Sequence, residues 1–187
     1  MKFCSECAKP ICFRVPEGDT LPRFVCEHCG EIFYQNPRLV VGTLPIWEEE
    51  ILICRRSIEP RRGYWTLPSG YLENGEGVEE GAQRETIEEA GADVEMGPLY
   101  AVYNLPHVNQ VYMIFLARLK NLDFSPGEES LEVKLVRKAE IPWERMAFRA
   151  IEFALERYCK DRGRSATAHI GSYSRSKDGR WIRGHSG

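Results

Sequence analysis

The sequence predicts a mixed α/β domain preceded by a small cysteine-rich segment, and three observations carry that expectation. Short β-branched runs alternate with two stretches of helical periodicity across residues 37–160, the pattern of a mixed sheet covered by helices. Five of the seven cysteines crowd into residues 1–36. The composition, 43% hydrophobic and 28% charged over 187 residues, is an ordinary globular balance and suits one core plus an appendage.

Taken in order, residues 1–36 include a polar Pro/Gly stretch, Val15 to Pro22, and bury too little apolar surface to fold unaided. Asn36-Pro37 punctuates their end. Leu39 to Pro45 and Ile51 to Arg55 read as strands joined across Glu48-Glu49-Glu50. Tyr64 to Pro68 leads into a glycine-containing loop, Ser69 to Gly77. A helix is expected from about Val78 to Ala90, with Glu79 and Glu80 at its positive N-terminal end and Gly91 terminating it. Leu99 to Asn104, Gln110 to Leu119 and Leu131 to Val136 read as further strands, and Pro142 to Tyr158 as a second helix. The domain is therefore placed at residues 37–160. Residues 161–187, basic and rich in Ser and Gly, offer no clear element and read as a docked arm or a loose tail.

The net charge of -3 hides an asymmetry: residues 157–187 carry eight Lys/Arg against two Asp/Glu, a net of +6, which leaves about -9 on the rest. An acidic body argues against nonspecific nucleic-acid binding, so nucleic acid is not the expected partner. An anionic substrate stays open, because a bound divalent cation reverses the local field. No run is long enough to span a bilayer, and the first residues lack the apolar stretch of a signal peptide, so the expected location is cytoplasmic.

Cys4-x2-Cys7 and Cys26-x2-Cys29 each let two thiolates converge on one ion from a tight turn. Together they supply the closed S4 set of a structural zinc site, with no open position for chemistry. Cys12 is the spare ligand, and Cys54 and Cys159 read as small buried hydrophobes.

The most informative stretch is Gly70 to Ala92. Glu85, Glu88 and Glu89 fall at i, i+3 and i+4, so one helix face gathers three carboxylates. Like charges at that spacing cost about 0.2–0.5 kcal/mol per pair unless cations sit among them. Hard oxygen donors favour Mg2+ or Mn2+, and the planar fork of Arg84 can hold the carboxylates. By composition alone a solvated acidic face is the commoner outcome.

The constellation is more specific than the composition. Gly70, Glu76, Arg84, Glu85, Glu88, Glu89 and Gly91 match all seven fixed positions of the Nudix box, G-x5-E-x7-R-E-U-x-E-E-x-G-U, with Trp65-x-Leu67-Pro68 leading in. The two U positions depart, holding Thr86 and Ala92 where larger aliphatics are usual. The resemblance to the Nudix hydrolases implies an α/β/α sandwich with a mixed sheet, here behind a zinc ribbon. It implies hydrolysis of a nucleoside diphosphate joined to another moiety, with Mg2+ or Mn2+. Carried over by position, Glu85, Glu88 and Glu89 look like metal ligands, the Ser69 carbonyl an extra ligand, and Glu76 and Arg84 supporting residues. For the general base the candidates are Glu128, Glu129 and Glu132, which precede and begin a predicted strand, with Glu85 as the alternative in the box. Glu129 is the preferred loop carboxylate and Glu132 the preferred additional ligand.

Two Nudix groups carry such a ribbon. The NADH pyrophosphatases add S-Q-P-W-P-F-P-x-S after the box, a run absent here, where Leu105 to Gln110 stands roughly in its place. The plant FAD and ADP-ribose pyrophosphatase group is similar through Tyr34-Gln35-Asn36-Pro37, the box, Gln110 to Ala117 and Pro126-Gly127-x-Glu129-Ser130-Leu131-Glu132. That resemblance implies ADP-ribose or FAD as substrate, giving AMP plus ribose 5-phosphate or FMN, with NADH as the alternative. Tyr103, Tyr112 and Phe148 are candidates to stack an adenine, Gln110 to contact substrate and Arg149 to meet a phosphate. A homodimer is expected. The competing class is a non-enzymatic module in which the ribbon binds nucleic acid or the domain senses nucleotides. The absence of a basic patch in residues 1–36 and the intact box both weigh against it.

Overall fold

The computed structural model describes residues 1–175 and 181–186, with side-chain surroundings for residues 1–173. The chain forms two units, Met1–Pro37 and Arg38–Gly187.

The first unit is a three-stranded antiparallel sheet of β1 (Cys12–Arg14), β2 (Arg23–Val25) and β3 (Ile32–Phe33). The same turn is used twice around it. Cys4 N–H donates to the Lys9 carbonyl and Ala8 N–H to that of Cys4, just as Cys26 N–H donates to Glu31 and Gly30 N–H to Cys26. Between the turns, Asp19 organises the Pro/Gly stretch. Its carboxylate accepts the Thr20 and Leu21 N–H groups and the Arg23 Nε–H, and the Arg23 bond leads in holding its pKa down to about 2.

The second unit is built on β4 (Arg38–Trp47), β5 (Glu50–Arg56), β6 (Trp65–Thr66), β7 (Ser69–Tyr71), β8 (Val94–Leu105), β9 (Gln110–Leu119), β10 (Ser130–Val136), β11 (His169–Arg175) and β12 (Trp181–Ser186). Its sheet runs β10-β5-β4-β9-β8-β11-β12, with β6 on β5 and β7 on β4. It is mixed, because β4 pairs parallel with β9 and β11 parallel with β8, while the β8–β9 and β10–β5 pairs are antiparallel. The long β8 slips register between Met96 and Ala101, around Gly97-Pro98, where proline cannot donate to the ladder.

Two helices, α1 (Val78–Ala90) and α2 (Arg149–Asp161), cover opposite faces of the sheet. Strand alternation enforces this. On β4 and β5, Val40, Leu44, Ile51 and Ile53 pack with Ile151, Phe153, Ala154 and Leu155 of α2. Their neighbours Val41, Leu52 and Cys54 pack on the other side, with Ala82 and Ala90 of α1. The α/β/α sandwich is thus present. Among the described residues, no helix is long and apolar enough to cross a membrane.

Two expectations need correction. The second helix begins at Arg149, because Pro142 to Met146 instead form a 3-10 turn (Trp143–Arg145) tied to β6 by the Ala147 N–H bond to the Trp65 carbonyl. Residues 169–175 and 181–186, read as lacking regular structure, extend the sheet as β11 and β12. Gly171 in β11 permits this, since a Cβ there would press to 2.8 Å on the Tyr103 and Phe153 rings. Asp161 secures the entry to β11, accepting from the Tyr100 hydroxyl and lying 2.7 Å from His169 Nε2. The basic stretch Arg175 to Arg183 falls partly outside the described residues.

Thr86, one of the two departures from the box, is explained by its partner. It is fully buried, donates to the Ala82 carbonyl at 2.8 Å and lies 2.6 Å from the Thr43 hydroxyl on β4. A polar pair closes on itself where an aliphatic would otherwise sit. Thr86→Val strands the Thr43 hydroxyl and is expected to cost about 1–3 kcal/mol, whereas Thr43→Val with Thr86→Val recovers most of that loss. Urea melts of the two single variants and the double test this; strict additivity contradicts it.

Candidate metal and diphosphate site

The box loop and α1 place the acids. Gly77 N–H donates to the Glu80 carboxylate at 2.8 Å, which caps the helix start. Gly91 ends α1 in the left-handed region, at φ 59°. Gly70 is required by a close approach, since a Cβ there would fall onto the Glu85 carboxylate. Gly127 has the same role at the helix C-terminal end, where a Cβ would collide with the Glu88 carbonyl. Its N–H instead donates to the Glu89 carbonyl at 3.1 Å. That docking carries Glu128 and Glu129 to the cleft.

Arg84 is the organiser. Its Nε and Nη2 donate to both oxygens of Glu76, at 3.0 and 2.7 Å, and Nη1 reaches Glu85 at 2.7 Å and Glu88 at 2.9 Å. Nη2 also donates to the Tyr71 carbonyl. The fork thereby joins the box loop to the helix. Glu76 is held near a pKa of about 2, chiefly by Arg84 and then by the Glu73 N–H.

Glu89 is the opposite case. It is 5% exposed, and its carboxylate accepts the Ser69 N–H at 3.1 Å. Burial first, then the nearby charge of Glu85, pushes its pKa up to about 8, against the pull of the Ser69 bond and Arg56. Glu85 also titrates above its ordinary value, again chiefly through burial.

These groups line a cleft of about 760 Å³ that holds seven glutamates (59, 73, 85, 88, 89, 128 and 129) and two arginines, Arg56 and Arg84. A diphosphate cannot enter so acidic a space without added cations. Three helical carboxylates with the Ser69 backbone turn beside them are a hard-oxygen donor set on one cleft, more widely spaced than the four sulfurs of the N-terminal unit. Their chemistry suits a divalent cation.

Of the candidates, Ser69, Arg84, Glu85, Glu88, Glu89, Gln110, Tyr112, Glu129 and Phe148 all line this cleft. Glu132 does not. It pairs with Arg55 across β10 and β5, while Ser130 pairs with Arg56 after a register shift. Arg55 and Arg56 point to opposite faces, so Glu132 sides with Arg55, 3.6 Å away, and not with cleft-lining Arg56. Arg149 pairs with Glu152 at 2.6 Å outside the cleft, and Tyr103 is core, packed on Phe153. Two residues were missed. Arg56 has its guanidinium 5.1 Å from the Phe148 ring centre and donates to the Pro60 carbonyl. The Tyr71 hydroxyl accepts from Gln110 Nε2 at 2.8 Å. The double arginine after a strand was the available signal for the first; nothing local marks the second.

In the N-terminal unit the Cys4, Cys7, Cys26 and Cys29 sulfurs lie within 4.8 Å of one another, with Cys4–Cys29 at 3.6 Å and Cys7–Cys26 at 3.5 Å. Tetrahedral zinc with Zn–S bonds of about 2.3 Å needs sulfurs about 3.8 Å apart, so the set fits. The Cys29 N–H, joined by that of His28, helps bring the Cys26 pKa down to about 6. Cys12 stands apart, its sulfur 3.5 Å from the Val25 carbonyl.

Comparison with known proteins now identifies the class. The NUDIX domain family matches residues 36–155, and the Nudix N-terminal zinc-ribbon family matches residues 2–35. The chain belongs to the Nudix hydrolase family, with the N-terminal Nudix zinc ribbon in front of the hydrolase domain. A NUDIX hydrolase from Nitrosomonas europaea superposes with a TM-score of 0.87 at 54% identity, covering 92% of this chain and 98% of that one. An ADP-ribose pyrophosphatase from Streptococcus suis, 22% identical with a TM-score of 0.55 over 72% of this chain and 98% of its own, shares the fold. Among curated relatives, NAD-capped RNA hydrolase NudC from Salmonella heidelberg is 31% identical over 75% of this chain and 53% of its own length. The protein of that name from Chromobacterium violaceum is 29% identical over 70% and 48%. The chain thus spans about half the length of the curated relatives it matches.

Proposed function

We propose that this chain hydrolyses the diphosphate of ADP-ribose or FAD, giving AMP plus ribose 5-phosphate or FMN, with Mg2+ or Mn2+ held by Glu85, Glu88, Glu89 and the Ser69 carbonyl. The observation that carries this reading is the convergence of three box carboxylates on a single cleft whose other wall is Arg56, Phe148, Tyr112 and the Gln110–Tyr71 pair.

When bound, the cation neutralises the diphosphate and lowers the pKa of the attacking water. The remaining work falls to the chain. Arg84 holds Glu85 and Glu88 in place from the side. Arg56, close enough to pull down the pKa of Glu89, offers its positive charge to a substrate phosphate. Glu129, close enough to raise the pKa of both Glu85 and Glu89, takes the proton of the attacking water. Phe148 presents an apolar face to a base, with the buried Tyr112 lining the cleft behind it, their ring centres 6.4 Å apart.

A second reading is supported by the curated relatives: NAD(H), free or as an RNA cap. Against it stands the lack of an S-Q-P-W-P-F-P-x-S run in the sequence, where Leu105 to Gln110, with the turn Pro106–Val108, stands roughly in its place. A panel of ADP-ribose, FAD, NADH and NAD-capped RNA with Mg2+ or Mn2+, scored by product identity, decides between them. Faster cleavage of ADP-ribose or FAD is the expected result, and exclusive turnover of NAD(H)-containing substrates overturns it. The homodimer inferred from sequence belongs to the same proposal and is read by sedimentation.

A further inference from the structure

One positive feature beside the acidic cleft has no part in the proposed diphosphate chemistry. The loop after β5 carries Arg61 and Arg62, both exposed, and the exposed Arg145 comes to it from the 3-10 turn before α2. Arg61 and Arg145 share one ring: their guanidinium carbons lie 5.3 and 6.0 Å from the centre of Tyr64. Arg145 Nη2 donates to the Gly63 carbonyl at 3.3 Å. Among the described residues, none of the three arginines forms an ion pair with a carboxylate.

Three features make this more than scattered surface charge. The Arg61 and Arg145 charges are gathered about one ring, 5.3 and 6.0 Å from its centre, and exposed Arg62 is the next residue in the chain. The backbone beneath them is firmly held, by Arg56 N–H to the Tyr64 carbonyl, Gly63 N–H to Arg56 and Ala147 N–H to Trp65. Arg61 itself sits at φ 67°, a conformation where glycine would be unstrained and a larger residue is disfavoured. An arginine resting on a tyrosine ring still has N–H groups to offer, Arg145 beyond the one it gives Gly63, and such a fork matches phosphate oxygens. The same loop reaches the cleft, because Ile58, Glu59 and Pro60 line it immediately before Arg61.

We infer that Arg61, Arg62 and Arg145 bind a phosphate that the substrate carries outside its scissile diphosphate, either a phosphodiester of an attached nucleotide chain or a phosphate monoester on the nucleoside ribose. This deepens the diphosphatase reading and rests on it. The acidic body still opposes nonspecific nucleic-acid binding; the patch serves an anion already anchored in the cleft.

The test compares NAD+, its 2′-phosphorylated form and an NAD-capped oligoribonucleotide with the full chain and Mg2+. The double variant Arg61→Gly with Arg62→Ala removes two charges and suits the backbone at 61. At low salt, at least one phosphate-bearing substrate is expected to show a kcat/KM about tenfold above NAD+. The variant loses that preference while its activity on NAD+ stays unchanged. For the oligonucleotide, the slope of log kcat/KM against log salt is expected near roughly -2. It should shrink by about 1.4 in the variant, at about 0.7 for each arginine–phosphate pair removed. Absence of preference for either substrate, or a preference that survives in the variant, overturns the inference. If NAD+ is not cleaved, the ADP-ribose or FAD reading is untouched; only loss of turnover on those substrates as well overturns the diphosphatase reading. Binding of the capped oligonucleotide to the metal-free protein then decides the patch: weaker binding by the variant supports it and equal affinity overturns it.

Discussion

Glu89→Gln is expected to lower Mg2+-dependent turnover by at least about 10³-fold and, in the same protein, to raise the stability of the metal-free state. The two effects come from one cause. The carboxyl is buried among Glu85 and Glu129, so its pKa climbs from 4.5 to about 8 on folding. Between those values the folded chain retains a proton that the unfolded chain has released. Stability contributed by the neutral acid is therefore complete below pH 4.5 and declines as pH rises toward 8. Glutamine mimics the neutral acid and can accept the Ser69 N–H, so it removes that decline, a gain of at most about 3 kcal/mol at pH 7. Glu88→Gln provides the contrast. Its side chain is 56% exposed and held only by Arg84, so turnover falls while stability barely moves. Initial rates with urea melts at pH 5 and pH 8 separate the cases. Turnover of Glu89→Gln within tenfold of the parent contradicts the account.

Zinc removal is the second large effect. Within Met1–Pro37 the buried hydrophobic residues are Cys4, Val25 and Cys26, two of which belong to the sulfur cluster. A unit with so little apolar core depends on its metal, and structural zinc contributes about 10–16 kcal/mol to such folds. Chelation, or Cys26→Ser, should unfold this unit and expose Val15 to Pro22 to protease. Residues 38–187 should keep their own core and, with it, the proposed metal-dependent hydrolysis. An unchanged melting profile after metal analysis confirms zinc loss is the result that rules this out.

Much of this was legible in the sequence because the informative residues repeat at intervals set by local geometry. The α1 boundaries follow from its caps, the sulfur cluster from two CxxC turns, and the clustering of Glu85, Glu88 and Glu89 from the helical period. What escaped depends on pairing between distant segments. Glu132 could be assigned to the cleft only by assuming a register, and the slip at Ser130 turned it to the other face. Arg56 and Tyr71 reach the cleft because β5 and β7 both pair with β4. The fit of Thr86 needed Thr43, 43 residues away. β11 was invisible because a polar, glycine-containing strand lacks the apolar alternation that marks a half-buried one, even though it pairs with β8 on one side and β12 on the other.

The central claim is that the carboxylates of α1 hold a divalent cation in the cleft. Calorimetric titration of Mn2+ into the metal-free protein at pH 7, repeated in buffers of different ionisation enthalpy, measures it directly. Because Glu89 keeps its proton at that pH, binding should release close to one proton, and the release should vanish in Glu89→Gln. Mn2+ binding of undiminished affinity in a variant with Glu85, Glu88 and Glu89 all changed to Gln would place the ion elsewhere.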